Sequence, residues 1–125
     1  LNNDEVTFDT ITMNSNIDVN GTMTMTDGTL NVGTGPVYGL NIGGSFYGYA
    51  AASFTGTIAS STITFDGNGA FFVFSVVSLT LPNVDFGFAG STWIILNSIT
   101  CSSMAVTTGT VVAIPSCGAT ICANW

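Results

Sequence analysis

The sequence predicts an all-β fold: an antiparallel sandwich or barrel of roughly eight to ten short strands with essentially no helix. Three observations lead there. Apolar and polar residues alternate with a period of two over much of the chain, which is the strand signal. Strong helix formers are scarce, with one Glu and no Gln, Lys or Arg. Turn-forming pairs rich in Gly, Asp, Asn and Pro punctuate the alternation at regular intervals, and neither a domain boundary nor a repeat of fixed period stands out. At 125 residues the chain makes one β domain, 1–125.

The alternation is clearest over residues 11–25. Odd positions are mostly apolar (Ile11, Met13, Ile17, Val19, Met23, Met25) and the even positions between them are polar. This run is long for one strand, so a break is expected near residues 14–16 or at Asn20-Gly21. Asp27-Gly28 between two alternating runs predicts a two-residue hairpin, because a type I′ turn needs positive φ at both positions. Gly33-Thr34-Gly35-Pro36 is a loop. Residues 38–49 form a Gly- and aromatic-rich strand region in which Gly43-Gly44 marks a bulge or bend. Residues 53–65 supply a further strand or pair, closed by Asp66-Gly67-Asn68-Gly69. Residues 70–81 are apolar on both faces and must be covered on both; Pro82-Asn83 ends them. Val84, Phe86 and Phe88 alternate again, Gly90-Ser91 turns the chain into residues 92–99, and residues 106–114 are the last strand before a Cys-containing tail, 115–125.

Charge sets the function classes aside more sharply than fold does. Seven Asp and Glu stand against no Lys, Arg or His, a formal −7, although only 6% of the chain is charged and 46% is hydrophobic. Without a cationic side chain there is no footprint for nucleic acid and no polybasic patch for an anionic membrane. Ser-His, Cys-His, Schiff-base and P-loop chemistry lack their residues. The expectation is a non-enzyme without cofactor or small-molecule substrate. No run of about 18 apolar residues is present, so no membrane-spanning helix is expected. Nineteen Thr and twelve Ser provide the polarity that charge usually provides, and the start at Leu1 in place of Met is read as a removed leader, hence a secreted or cell-surface protein.

Few residues remain for chemistry. Cys101, Cys117 and Cys122 lie in the C-terminal quarter; in an extracellular protein one pair is expected to be oxidised, either Cys117 with Cys122 or Cys101 with one of them. Three Cys without His do not make a closed zinc site. Asn14, Asn16 and Asp18 alternate on one strand face, and Asp66 and Asn68 share a turn; both stretches are oxygen-rich candidates for calcium, though a solvated polar face accounts for them as well. Asp85, between Val84 and Phe86, is the carboxylate closest to a buried setting. Asn20-Gly21-Thr22 is the one glycosylation sequon, with Asn20 as acceptor. Phe46, Tyr47, Tyr49, Trp93 and Trp125 are either core or a sugar-stacking platform.

Gly44-Ser45-Phe46-Tyr47-Gly48, followed by residues 50–52 and Phe54-Thr55-Gly56, resembles the G-x-F-Y-G…A…F-x-G stretch in the barrel of transferrin-binding-protein-type surface lipoproteins. The likeness covers residues 43–57 alone and lacks the acidic residue that the family carries before its last Phe. It implies an extracellular β-barrel and does not carry transferrin binding over.

The functional expectation is an extracellular structural subunit that assembles with copies of itself into a pilus-like filament or surface layer. The proposed mechanism is donation of residues 1–13 as a strand to a neighbour, with Val6, Phe8, Ile11 and Met13 as knobs; the alternative is that this segment is the first strand of its own sheet. A secreted carbohydrate- or surface-binding sandwich using Tyr38, Tyr47, Tyr49 and Trp93 is the second reading. A small outer-membrane barrel is the third.

Overall fold

The computed structural model describes residues 10–76, 78–97 and 99–113. Among them the chain is all β: β1 (Thr10–Thr12), β2 (Ile17–Val19), β3 (Met23–Asn31), β4 (Gly39–Ile42), β5 (Phe46–Thr55), β6 (Thr62–Phe65), β7 (Ala70–Ser75), β8 (Thr80–Leu81), β9 (Asn83–Ile95), β10 (Thr100–Cys101) and β11 (Met104–Ala113). Every strand pairing is parallel. The expected antiparallel sandwich or barrel is therefore corrected to a β-solenoid, in which the chain winds in coils and each coil stacks on the last.

The register shows the winding. On the first side Ile17 lies against Leu40, Leu40 against Ile63, Ile63 against Val84 and Val84 against Met104. On the second side the column is Met23, Phe46, Val73, Ile95 and Ala113. On the third, Ile11 lies against Leu30 and Leu30 against Phe54, while Leu81 pairs with Cys101 in a separate two-stranded sheet. The long strands β3, β5, β9 and β11 each run along two sides and turn a corner between them. Alternation within a strand sends one set of side chains inward, and stacking then places like on like, so a fold that local pattern describes as many half-buried strands acquires one continuous core.

That core is aromatic at its centre. Phe46, Phe65, Phe86 and Trp93 are all fully buried. Phe65 stacks on Phe86 with centroids 5.0 Å apart, meets Phe46 edge-on at 6.4 Å, and Phe86 continues to Trp93 at 5.2 Å. Offset and edge-to-face contacts of this kind add to plain area burial.

Three local expectations change with the winding. Asp27-Gly28 makes no hairpin: it lies inside β3, with Gly28 at φ 79°, and the residues on both sides of it pair with the same strand, β5, across a register shift. Gly90 likewise falls inside β9 at φ 85°, where the strand bends between sides. The stretch 70–81 divides into β7 and β8 on two sides of one coil, and the expected cover on both faces is corrected to cover on one: Val73 is fully buried whereas Phe72 is 41% exposed.

Corners are tied by buried serines. Ser91, 1% exposed, donates its hydroxyl to the Gly67 carbonyl at 2.6 Å and accepts the Gly69 N–H at 3.1 Å; Ser45 accepts the Phe72 N–H at 3.0 Å. Ser91→Ala removes the one hydroxyl that both backbone groups share and is expected to destabilise by about 1–3 kcal/mol. Thermal unfolding followed by circular dichroism checks it, and an unchanged midpoint would show that the bridge contributes nothing.

Candidate functional site

Each side of the solenoid displays its outward residues as a column, and the three sides differ in chemistry. The first side is polar: Asp18, Asn41, Thr64, Asp85 and Ala105 follow one another in register. Thr107 donates to Asp85 Oδ1 at 2.6 Å. The third side is a hydroxyl and amide ladder in which Thr10, Thr29 and Ser53 align, as do Thr12, Asn31 and Thr55. Its hydroxyls are linked, Thr29 Oγ1 lying 2.8 Å from Ser53 Oγ.

The second side is the unusual one. Tyr47 aligns with Phe74, and Phe72 with Ile94 and Val112. Tyr49 and Phe74 rings meet at 5.5 Å with a 48° tilt. Tyr49, Phe72 and Val112 are about 40% exposed (40%, 41% and 44%), so an apolar stripe faces solvent across four coils. A contiguous exposed apolar patch is where an interaction is to be sought.

The residues singled out from sequence are dispersed over this frame. Asn14 and Asn16 are exposed in the turn before β2, and Asn16 Oδ1 accepts the Gly39 N–H at 2.9 Å, so it braces the next coil. Asp18 is exposed on β2. Asp66 and Asn68 sit two coils further on, the Asp66 N–H donating to Ile42 O at 3.2 Å. The two calcium candidates are thus separate turns. Among the described residues no three His, Cys, Asp or Glu side chains come together. Asn20 is exposed at a corner, open to modification. Asp85 points outward and is half-buried.

The aromatic platform divides. Phe46 and Trp93 belong to the core at 0% exposure, and Tyr38 packs against it, whereas Tyr47 and Tyr49 face outward; Trp125 lies outside the described residues. No family model, curated protein or solved structure matches this chain. The stretch 43–57 that resembles a surface-lipoprotein barrel forms β5 and its flanks, hydrogen-bonded to parallel neighbours on both sides, and the barrel implied by that likeness is absent. The outer-membrane-barrel reading falls with it. Among the described residues no helix is long and apolar enough to cross a membrane.

The segment 1–13 divides as well. Ile11 pairs with Leu30 within its own chain, and Met13, 2% exposed, donates its N–H to Asn31 O at 2.8 Å. Val6 and Phe8 lie outside the described residues, as do Cys117, Cys122 and the tail 115–125. Cys101 is 8% exposed and lies in register with Leu81.

What sequence reasoning missed is the display itself. Phe72, Phe74, Ile94 and Val112 look like core residues strand by strand, and they join Tyr47 and Tyr49 in one surface only when coils are stacked. Among the described residues two buried side-chain polar atoms, Asp27 Oδ1 and Trp93 Nε1, are left without a hydrogen-bond partner.

Proposed function

We propose that this protein is an extracellular structural subunit that assembles with copies of itself, without catalysis or a cofactor. The observation that supports it most directly is that the outermost strands of the first side each keep one edge without a strand partner among the described residues, where β2 pairs only with β4 and β11 only with β9. Exposed edges are normally blunted by Lys, Pro or an inward charge. Neither edge strand contains Lys, Arg or Pro, and Asp18 on β2 faces outward. The apolar second side adds a surface for lateral contacts between filaments. A chain without Lys or Arg also offers no site to trypsin-like proteases, which suits an exposed polymer. A disulfide, Cys117 with Cys122 or Cys101 with one of them, is part of the same extracellular reading.

The second reading, a module that binds a carbohydrate polymer, is favoured by the outward Tyr47, Tyr49, Phe72 and Phe74 on the second side, aromatic rings being the usual apolar partners of sugar faces. Negative-stain microscopy of the purified protein, with a parallel sedimentation assay on insoluble polysaccharide, separates the two. Regular fibres without polysaccharide are expected. A monodisperse monomer that sediments with the polysaccharide overturns the first reading in favour of the second.

A further inference from the structure

We propose that the corner Asn20-Gly21 is a self-modifying site, at which the Asn20 amide is lost through a succinimide and aspartate or isoaspartate takes its place. The inference goes beyond self-assembly and does not rest on it. Only two asparagines in the chain precede glycine, Asn20 and Asn68. The pairing matters because the backbone nitrogen of the following residue is the nucleophile, and a glycine there has no Cβ to obstruct ring closure. Asp27-Gly28 and Asp66-Gly67 carry the same glycine, but a carboxylate is a much poorer acceptor of an attacking nitrogen than an amide. The fold decides which of the two Asn-Gly pairs can close the ring.

The chemistry needs only water. The Gly21 nitrogen bonds to Cγ of Asn20, the Cγ–Nδ2 bond breaks, and Nδ2 leaves as ammonia with the proton that the Gly21 nitrogen gave up through solvent. Water then opens the ring. Cleavage at Cγ gives aspartate; cleavage at the main-chain carbonyl carbon gives isoaspartate, in which the chain runs through the side chain and gains a carbon. Either product takes the formal charge one unit beyond −7. A glycan on Asn20 occupies the same amide nitrogen, so the two modifications exclude one another.

Asn68-Gly69 is held. Its attacking group, the Gly69 N–H, donates to the Ser91 hydroxyl at 3.1 Å, and that hydroxyl is fixed by its own bond to the Gly67 carbonyl at 2.6 Å. Ser91 is 1% exposed. Ring closure at Asn68 therefore forfeits a buried hydrogen bond that water does not replace, which slows it by about ten-fold or more. Gly67 is pinned from the other side, where a Cβ would lie 2.1 Å from Gly43 O. Asn20-Gly21 has neither restraint among the described residues. Asn20, Gly21 and Thr22 are all exposed. A Cβ on Gly21 would meet nothing within 4 Å, and no described carbonyl accepts the Gly21 N–H. The product matters to the fold, because a Cβ on Gly44 would lie 2.5 Å from Gly21 C. The extra main-chain carbon of isoaspartate thus falls where the second coil lies tight against the first.

The test is to age the folded protein in mildly alkaline buffer made with heavy-oxygen water and to weigh its chymotryptic peptides, beside a sample held unfolded in guanidinium chloride. The unfolded chain is expected to convert both asparagines at similar rates. The folded chain is expected to convert Asn20 about ten-fold or more faster than Asn68, with one heavy oxygen in each product. Gly21→Ala, placed in open space and without a positive φ, keeps the fold and suppresses conversion at Asn20. Ser91→Ala brings Asn68 up towards the rate of Asn20. Equal rates at the two sites of the folded chain overturn the proposal, as does an Asn20 that stays intact while the unfolded chain converts it, or one that converts unchanged in Gly21→Ala. A folded Ser91→Ala chain with Asn68 intact overturns the part given to Ser91. Should that variant not fold, the comparison of the two sites and Gly21→Ala decide the matter.

Discussion

Phe65→Ala is expected to lower the unfolding free energy by about 3–5 kcal/mol and, at an m-value near 2 kcal/mol/M, to move the urea midpoint down by roughly 2 M. Phe65 is fully buried in the middle coil, stacked on Phe86 and edge-on to Phe46. The coils above and below are held at a fixed strand spacing by their backbone ladders, so they do not close onto the space a phenyl ring leaves. The cavity term is then felt nearly in full. The array is also quasi-one-dimensional, each coil touching only its neighbours. Weakening the centre leaves two pieces of about two coils each, fewer than the three or so stacked units that such folds need, and unfolding is therefore expected to remain cooperative. Val106 stands in the same inward column at the last coil but is 40% exposed. Val106→Ala is the control, and its cost is expected to stay within about 0.5 kcal/mol. Equal losses for the two variants would mean that the aromatic column is not the centre of the core.

The elements of this fold were legible in the sequence, and their assembly was not. Alternation placed strands within 11–25, 53–65 and 84–88, because the pleat fixes what each residue faces whatever the strand pairs with. Whether neighbours run parallel or antiparallel depends on residues far along the chain, and local pattern carries no information about that. Asp27-Gly28 shows the difficulty: a positive φ at Gly28 serves a hairpin turn and a bend within a strand equally well, and only the shared partner β5 distinguishes them. A signal for the winding was nevertheless present. Gly21, Gly44, Gly67 and Gly90 recur at a step of 23 residues, as do Ile17, Leu40 and Ile63, and Val19, Ile42 and Phe65. The step drifts in the later coils, from Ile63 to Val84 and from Val84 to Met104, which blurs it for any search at one fixed period. The outward apolar stripe was hidden for the same reason. Phe72 and Tyr49 are adjacent to core residues in sequence, and only coil stacking sorts them from Phe46 and Val73.

Corner glycines carry the second large prediction, because stacked coils approach closely there. Gly56 combines two demands. Its φ is 89°, and a Cβ there would lie 2.3 Å from Gly33 O and 2.6 Å from Asn31 Oδ1. Gly56→Ala is therefore expected to cost about 1–3 kcal/mol for the left-handed backbone and a further ~1–3 kcal/mol for displacing the coil beneath. The two contributions separate experimentally. Gly90 has φ 85° with nothing within 4 Å of a Cβ, so Gly90→Ala reports backbone strain alone. Gly67 has no positive φ, but a Cβ there would lie 2.1 Å from Gly43 O, so Gly67→Ala reports close approach alone. Chemical denaturation of the three variants should rank Gly56→Ala as the most damaging, because it alone combines the strained backbone with the close approach. If Gly56→Ala instead matched Gly90→Ala, the coils would not be in contact at that corner. The corner glycines would then be turn residues only.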